Sequence, residues 1–173
     1  MSNLSRGIRN NNPGNLISTN IQWLGKIPLS KNTDGKFEQF ETIELGIRAM
    51  FKDLINDINK GKNTVRKLIT EYAPPNENNT GKYIKDVCSS IGVTPDQIIT
   101  SVNYSFLLML GKAIIKKENG SDASLVSDKQ IIKGIKLLGD VSTSLLKVST
   151  VKNNLAFLIP IFLLFYTVFT ISL

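Results

Sequence analysis

The chain contains no histidine. That excludes Ser-His-Asp and Cys-His catalysis and any imidazole metal site. A single cysteine, Cys88, excludes an internal disulfide and a cysteine-rich zinc site, and reads as a small buried apolar residue. Acidic residues are the minority charge, 14 Asp and Glu against 21 Lys and Arg in 173 residues, a net charge of +7. A basic surface favours anionic partners such as nucleic acid, lipid head groups or bacterial wall polymers. The lysines and arginines are scattered and build no densely basic recognition helix, so nucleic acid is not an expected partner. Any chemistry must run on carboxylates, hydroxyls, amides or backbone, and no metal or organic cofactor is implied. Apolar residues at 42% and charged residues at 20% are enough for a packed core.

No charge interrupts Leu155–Leu173 (LAFLIPIFLLFYTVFTISL). As a helix rising ~1.5 Å per residue this run covers about 28 Å, close to the hydrocarbon thickness of a bilayer. It is therefore expected to be a transmembrane helix, with Pro160 tolerated near its start. Positive charge at Lys147 and Lys152 lies only on its N-terminal side, which implies that the preceding domain stays cytoplasmic during synthesis. The polar segment from Met1 to Asn15 has no apolar core of a signal peptide.

Residues 1–120 read as a mainly α domain with a small β element. Asn10–Asn15 (NNNPGN) has the chemistry of a turn. Lys36–Phe40 alternates after Asp34-Gly35 and suggests a short strand. Thr42 is an expected N-cap for a helix whose stripe runs Ile43, Ile47, Met50, Phe51, Leu54, Ile55 and Ile58. Arg48 falls in that stripe, either buried against a carboxylate or at its edge. Thr64 and Thr80 are expected to cap two further helices, ended by Pro74-Pro75 and by Gly92. Thr94-Pro95 suggests a short helix, and Asn103–Glu118 a long one. Residues 121–154 lack aromatics and proline. They read as an amphipathic helix and stalk leading to the membrane segment, or as a helix packed on the domain or lying at the bilayer interface.

Five blocks in order carry a resemblance. Arg6–Leu16 (RGIRNNNPGNL), Gly35–Thr42 (GKFEQFET), Glu44–Met50 (ELGIRAM), Tyr72–Thr80 with Tyr83-Ile84, and Ala113–Gly120 (AIIKKENG) together resemble the peptidoglycan-degrading domains of phages. The resemblance implies a lysozyme-like α+β domain over residues 6–120. In lysozyme-like lytic transglycosylases the catalytic Glu ends an early helix and the glycine-containing substrate loop and tyrosine block follow. Here the segment like the catalytic helix comes last, which suggests a circular permutation.

The resemblance turns Glu118 from a solvated helix-end carboxylate into a candidate general acid. Locally the negative end of a helix dipole and the apolar Ile114 and Ile115 oppose its charge, while Lys116 and Lys117, expected to face solvent, would favour it. Glu41 and Glu44 are the rival carboxylates. At a helix start they suit a base or a cap, and either of them, or Asp34, could be the partner that an inverting route requires. Asn12, Gly14 and Asn15 either shape the floor of a substrate cleft or serve turn chemistry alone. Tyr72 and Tyr83 either contact the sugar or pack in the core.

The functional expectation is a membrane-anchored phage virion enzyme that cleaves the MurNAc-GlcNAc bond of peptidoglycan during genome entry. Its partners would be glycan strands, a lipid bilayer through residues 155–173, and capsid proteins. The competing expectations are a non-catalytic virion membrane protein that keeps a wall-binding fold and links capsid to membrane, and a late lysis protein acting from the host membrane.

Overall fold

The computed structural model describes residues 4–76 and 78–139. Leu155–Leu173 and the stalk from residue 140 onward lie outside the described residues. Among the described residues no helix is long and apolar enough to cross a membrane.

The architecture is mainly helical. A short α1 (Arg6–Arg9) leads into irregular chain, followed by α2 (Ile43–Asn59), α3 (Val65–Tyr72), α4 (Thr80–Ile91), α5 (Tyr104–Asn119), a 3-10 turn (Gly120–Leu125) and α6 (Asp128–Lys136). The helix starts follow side-chain chemistry. The hydroxyls of Thr42 and Thr64 accept from the backbone N–H of Leu45 and Lys67, three residues into their helices. The third cap is Asn79 rather than Thr80: its side chain accepts from Lys82 N–H, while Thr80 turns back to donate to the Ala73 carbonyl at 2.5 Å. Gly92 closes α4 in the left-handed conformation at φ 73°, where only glycine is unstrained. Thr94-Pro95 forms a turn, with Gln97 N–H donating to the Thr94 carbonyl, and starts no helix.

The expected strand at Lys36–Phe40 is reduced to two isolated bridges, Ile17 with Phe37 and Lys26 with Phe40. A ladder needs a regular partner, and the facing segment is bent by Gly25 and Pro28 and fastened by side chains instead. Lys26 Nζ and the Thr19 N–H both meet Glu38 Oε1, at 2.9 Å each, beneath the loop. Glu38 is fully buried and its Oε2 has no partner.

The core runs along α2, whose Ile47, Met50, Phe51, Leu54 and Ile55 are buried where α2 packs on α3, α5 and α6. Gly111 on α5 makes room for the tip of the Phe51 ring; a Cβ there would stand 2.5 Å from its Cζ. Of the placements open to the helix after residue 120, the structure has it packed on the domain. Ile131 and Ile135 of α6 are buried in the core, Gly134 sits on Ile47, and Arg48 Nε donates to the Leu137 carbonyl at 2.9 Å. The globular body therefore continues past residue 120 to about Leu138, and Arg48 serves as a fastener for α6.

Candidate functional site

The NNNPGN turn is a set of fasteners built from asparagine amides. Asn10 Nδ2 donates to Asp34 at 2.9 Å and its Oδ1 accepts from Gln39. Asn11, in the left-handed region at φ 50°, donates to the Phe40 carbonyl. Asn12 is wholly buried. Its Nδ2 donates to the carbonyls of Leu16 and Glu38, at 2.9 Å each, and its Oδ1 accepts from Leu16 N–H. Its amide is spent inside the loop and none of it faces a cleft.

Asn15 is different. It too sits at φ 50°, a conformation asparagine tolerates better than most side chains. From there Nδ2 reaches Glu118 Oε2 at 2.9 Å. Glu118 lies in the last turn of α5, and its other oxygen accepts from the Tyr83 hydroxyl of α4 at 3.0 Å. The carboxylate is thus held by an amide from the first loop and a phenol from the fourth helix. The next residue fixes the helix end: Asn119 Nδ2 donates to the Pro13 carbonyl at 2.7 Å, and its Oδ1 accepts from Ser5 Oγ. Ser5 N–H also donates to Asp122, which brings the start and the end of the block order side by side.

Glu118 lines a groove of about 580 Å³. Gly14, Asn15, Leu16 and Tyr72 form its floor near the carboxylate, and Ile17, Ile21 and Trp23 form one lip. Gly14 is required by close approach, since a Cβ would stand 2.5 Å from the Tyr72 hydroxyl and 2.8 Å from Met50. Tyr72 donates that hydroxyl to the Gly14 carbonyl. Burial, then the nearby charge of Glu118, pushes the phenols of Tyr72 and Tyr83 well above the ordinary tyrosine range. Both therefore stay protonated donors at any working pH.

The rivals stand elsewhere. Glu41 is exposed outside the groove. Glu44 faces α6, with Lys133 Nζ 3.6 Å away. Burial raises its carboxyl, but hydrogen bonds from its own backbone N–H and from Thr42, with the Lys133 charge, outweigh that and leave it below the ordinary value. Asp34 is engaged by Asn10 and by Arg6 at 3.4 Å. Lys116 and Lys117 are both exposed, as expected; the Lys117 ammonium lies over α4, 5.3 Å from the centre of the Tyr83 ring and 3.5 Å from Asp86. It is occupied there by a ring and a carboxylate of α4.

Sequence reasoning missed Asp53. It lies on α2 one turn beyond Met50 and enters the groove with Asp57 and Glu71. Lys62 joins Asp57 at 3.1 Å and Glu71 at 2.7 Å, but no salt bridge or hydrogen bond to the Asp53 side chain occurs among the described residues. The only signal in the sequence was a carboxylate three and four residues from buried positions of an apolar stripe. Burial, then the charge of Asp57, raises its carboxyl above the ordinary aspartate value. A raised native value means that Asp53 stabilises the fold relative to its ionised form at low pH, and that this contribution is lost as pH rises through the native value. At pH 7 only the penalty remains. Asp53→Asn should therefore raise Tm by about 2–4 °C at pH 7 and leave it unchanged near pH 3. A melting series across pH checks this, and a lower Tm at pH 7 contradicts it.

Among the described residues no group of acidic or cysteine side chains is arranged to hold a metal ion. Cys88 is buried and unpaired, its thiol pushed up mainly by burial. What the fold and groove define is a mainly helical domain that holds one carboxylate between an amide and a phenol. No protein-family model matches the chain. It is 34% identical over 122 residues to Protein P5 of Pseudoalteromonas phage PM2, covering 68% of this chain and 73% of that protein. The chain belongs to the family of that phage protein.

Proposed function

We propose that this is a phage virion protein that cleaves the MurNAc-GlcNAc bond of peptidoglycan, with Glu118 as general acid and then base. The observation that carries the reading is the fixing of Glu118, one oxygen on Tyr83 and the other on Asn15, in the wall of an open groove of sugar size. Side chains that a structural helix end would leave to solvent are here locked by partners 35 and 103 residues away. Membership of a phage protein family supports the setting.

In this reading the Glu118 proton passes to the glycosidic oxygen as the C–O bond breaks. The carboxylate then takes the proton of the MurNAc 6-hydroxyl, whose oxygen closes on the anomeric carbon and leaves an anhydro end. If water attacks instead, it needs a base, and Asp53 is the groove carboxylate without a partner. The loop from Asn12 to Leu16, first in the chain, packs on the α5 end, last in the block order, through Asn119 and Pro13. That neighbourhood is what a circularly permuted lysozyme-like domain requires.

The charge-free run Leu155–Leu173 supports an anchor in a virion membrane, with capsid proteins as neighbours and the wall reached during genome entry. The test is digestion of purified sacculi by the full chain in detergent, read by mass spectrometry of released fragments. Anhydro ends identify the transglycosylase route and reducing ends the water route. No release at all overturns the enzymatic reading and leaves a structural link between capsid and membrane.

A further inference from the structure

The loop between the NNNPGN turn and Asp34 is folded so that large apolar side chains stand in water. Ile17 is 55% exposed, Ile21 48%, Leu24 55% and Leu29 65%. This is four of the nine exposed large hydrophobics of the described residues, gathered within one loop. Scattered apolar exposure needs no explanation, but a contiguous patch marks a contact surface.

The exposure is held in place by the loop's own fastening. Lys26 and Thr19 are tied to the buried Glu38, Glu41 N–H donates to the Gly25 carbonyl, and Gly25 lies against Leu45 of α2. Trp23 packs beneath the loop beside Leu16 and Phe40. The loop cannot collapse to hide Ile21, Leu24 and Leu29 without breaking these ties. No carboxylate occurs from Asn15 to Thr33, while Lys31 and Lys36 are exposed at the rim. Apolar tips with lysines beside them and no acid match the demands of an anionic bilayer surface.

Two further observations choose the bilayer over other occupants. The chain leaves the described body at Gly139, just beyond Leu137, whose carbonyl is fastened to Arg48. Arg48 is one turn from Leu45, the residue on which the loop rests. The loop and the exit therefore share the N-terminal half of α2. Residues 140–154 then separate the body from the apolar run, a reach of at most about 50 Å even fully extended.

We propose that the apolar tips of the Ile17–Leu29 loop rest on the surface of the membrane that the tail enters, so that one lip of the groove is held at the bilayer. This rests on the anchoring part of the function proposed above and not on glycan cleavage. It would place the groove against the membrane-proximal layer of the wall.

Trp23 is the single tryptophan of the chain and lies in this loop, so its emission reports on the loop alone. The full chain is reconstituted in vesicles of equal parts phosphatidylglycerol and phosphatidylcholine, with and without brominated acyl chains. The expected result is loss of most Trp23 emission in brominated vesicles and weak quenching by aqueous acrylamide. The double variant Leu24→Asp with Leu29→Asp, both outside the groove lining, should escape bromolipid quenching while keeping the helix content and melting of the parent. Extraction with alkaline carbonate tests the anchor separately. Release into carbonate with quenching retained at neutral pH removes the anchor and keeps the docking. Carbonate-resistant retention with free access of acrylamide and no bromolipid quenching overturns the docking and keeps the anchor. Shielding of Trp23 by added glycan strands but not by lipid also overturns it, and assigns the lip to sugar.

Discussion

Glu118→Gln should reduce the release of wall fragments by about 10²–10⁴-fold with little change in stability. The contrast follows from what surrounds the group. A glutamine has nearly the same shape and can still accept the Asn15 amide proton, while its own amide donates to the Tyr83 hydroxyl oxygen. The packing on Tyr83 and Asn15 is kept, so the melting temperature should hold within a degree or two. What is lost is the exchangeable proton, which an amide cannot lend to a departing sugar oxygen. The measurement is fragment release from sacculi beside thermal unfolding of the same preparation. Full release by the variant would move the acid to Asp53, Asp57 or Glu71, the other carboxylates of the groove. It would not restore Glu41 or Glu44, which lie outside the groove lining.

Gly46→Ala should cost about 3 kcal/mol and lower Tm by roughly 10 °C. On helix propensity alone the change would stabilise by up to about 1 kcal/mol. Packing decides the sign. Gly46 is buried on α2 directly beneath the asparagine turn, and a Cβ there would fall 1.8 Å from the Asn11 carbonyl oxygen. The obstacle is backbone, fixed from both sides by the amides of Asn11 and Asn12, so it cannot rotate away as a side chain would. The turn would have to lift, and Asn15 would lose its reach to Glu118. Gly81→Ala on α4 is the control: no atom lies within 4 Å of its added Cβ, so that variant should be neutral or slightly more stable. Circular-dichroism melts of both variants check the pair, and an unchanged Tm for Gly46→Ala would contradict the packing argument.

The helices were legible because their signals are local. An apolar stripe with a hydroxyl residue immediately before its first turn places α2 and α3 closely, and the same arithmetic finds α4 and α5. Adjacent polar residues blur it by one place, as with Asn79 and Thr80, where both can accept an N–H and tertiary contact with Ala73 decides. The short strand failed for a different reason. Alternation in Lys36–Phe40 is a property of one segment, whereas a ladder is a property of two, and the facing loop is organised around Glu38 instead. The docking of α6 was equally nonlocal: Gly134 reads as a weak point in a helix until Ile47 is seen against it.

The candidate site divides the same way. Glu118, Asn15, Gly14, Tyr72 and Tyr83 were named from their motifs; the first four line the groove, and Tyr83 is buried in the core with its hydroxyl on Glu118. Asn12 shares a motif with Asn15 but is turned inward, because in a tight turn successive side chains point to different sides. Asp53 belonged to no motif. Its position matters only because chain between residues 14 and 23 and the stretch Glu71–Pro74 line the same groove, which no window of neighbouring residues records.

The burial of Glu38 has a consequence for motion. A carboxylate with one oxygen wholly committed and the other without a partner leaves no intermediate arrangement for the chain above it. Breaking the Lys26 contact alone would strand a charge in a dry pocket, which is more costly than releasing the whole segment into water. Thr19 and Lys26 should therefore be freed together or not at all. Their amide hydrogens should exchange with solvent slowly and at a common rate, in a stretch where irregular backbone would otherwise suggest rapid and independent exchange.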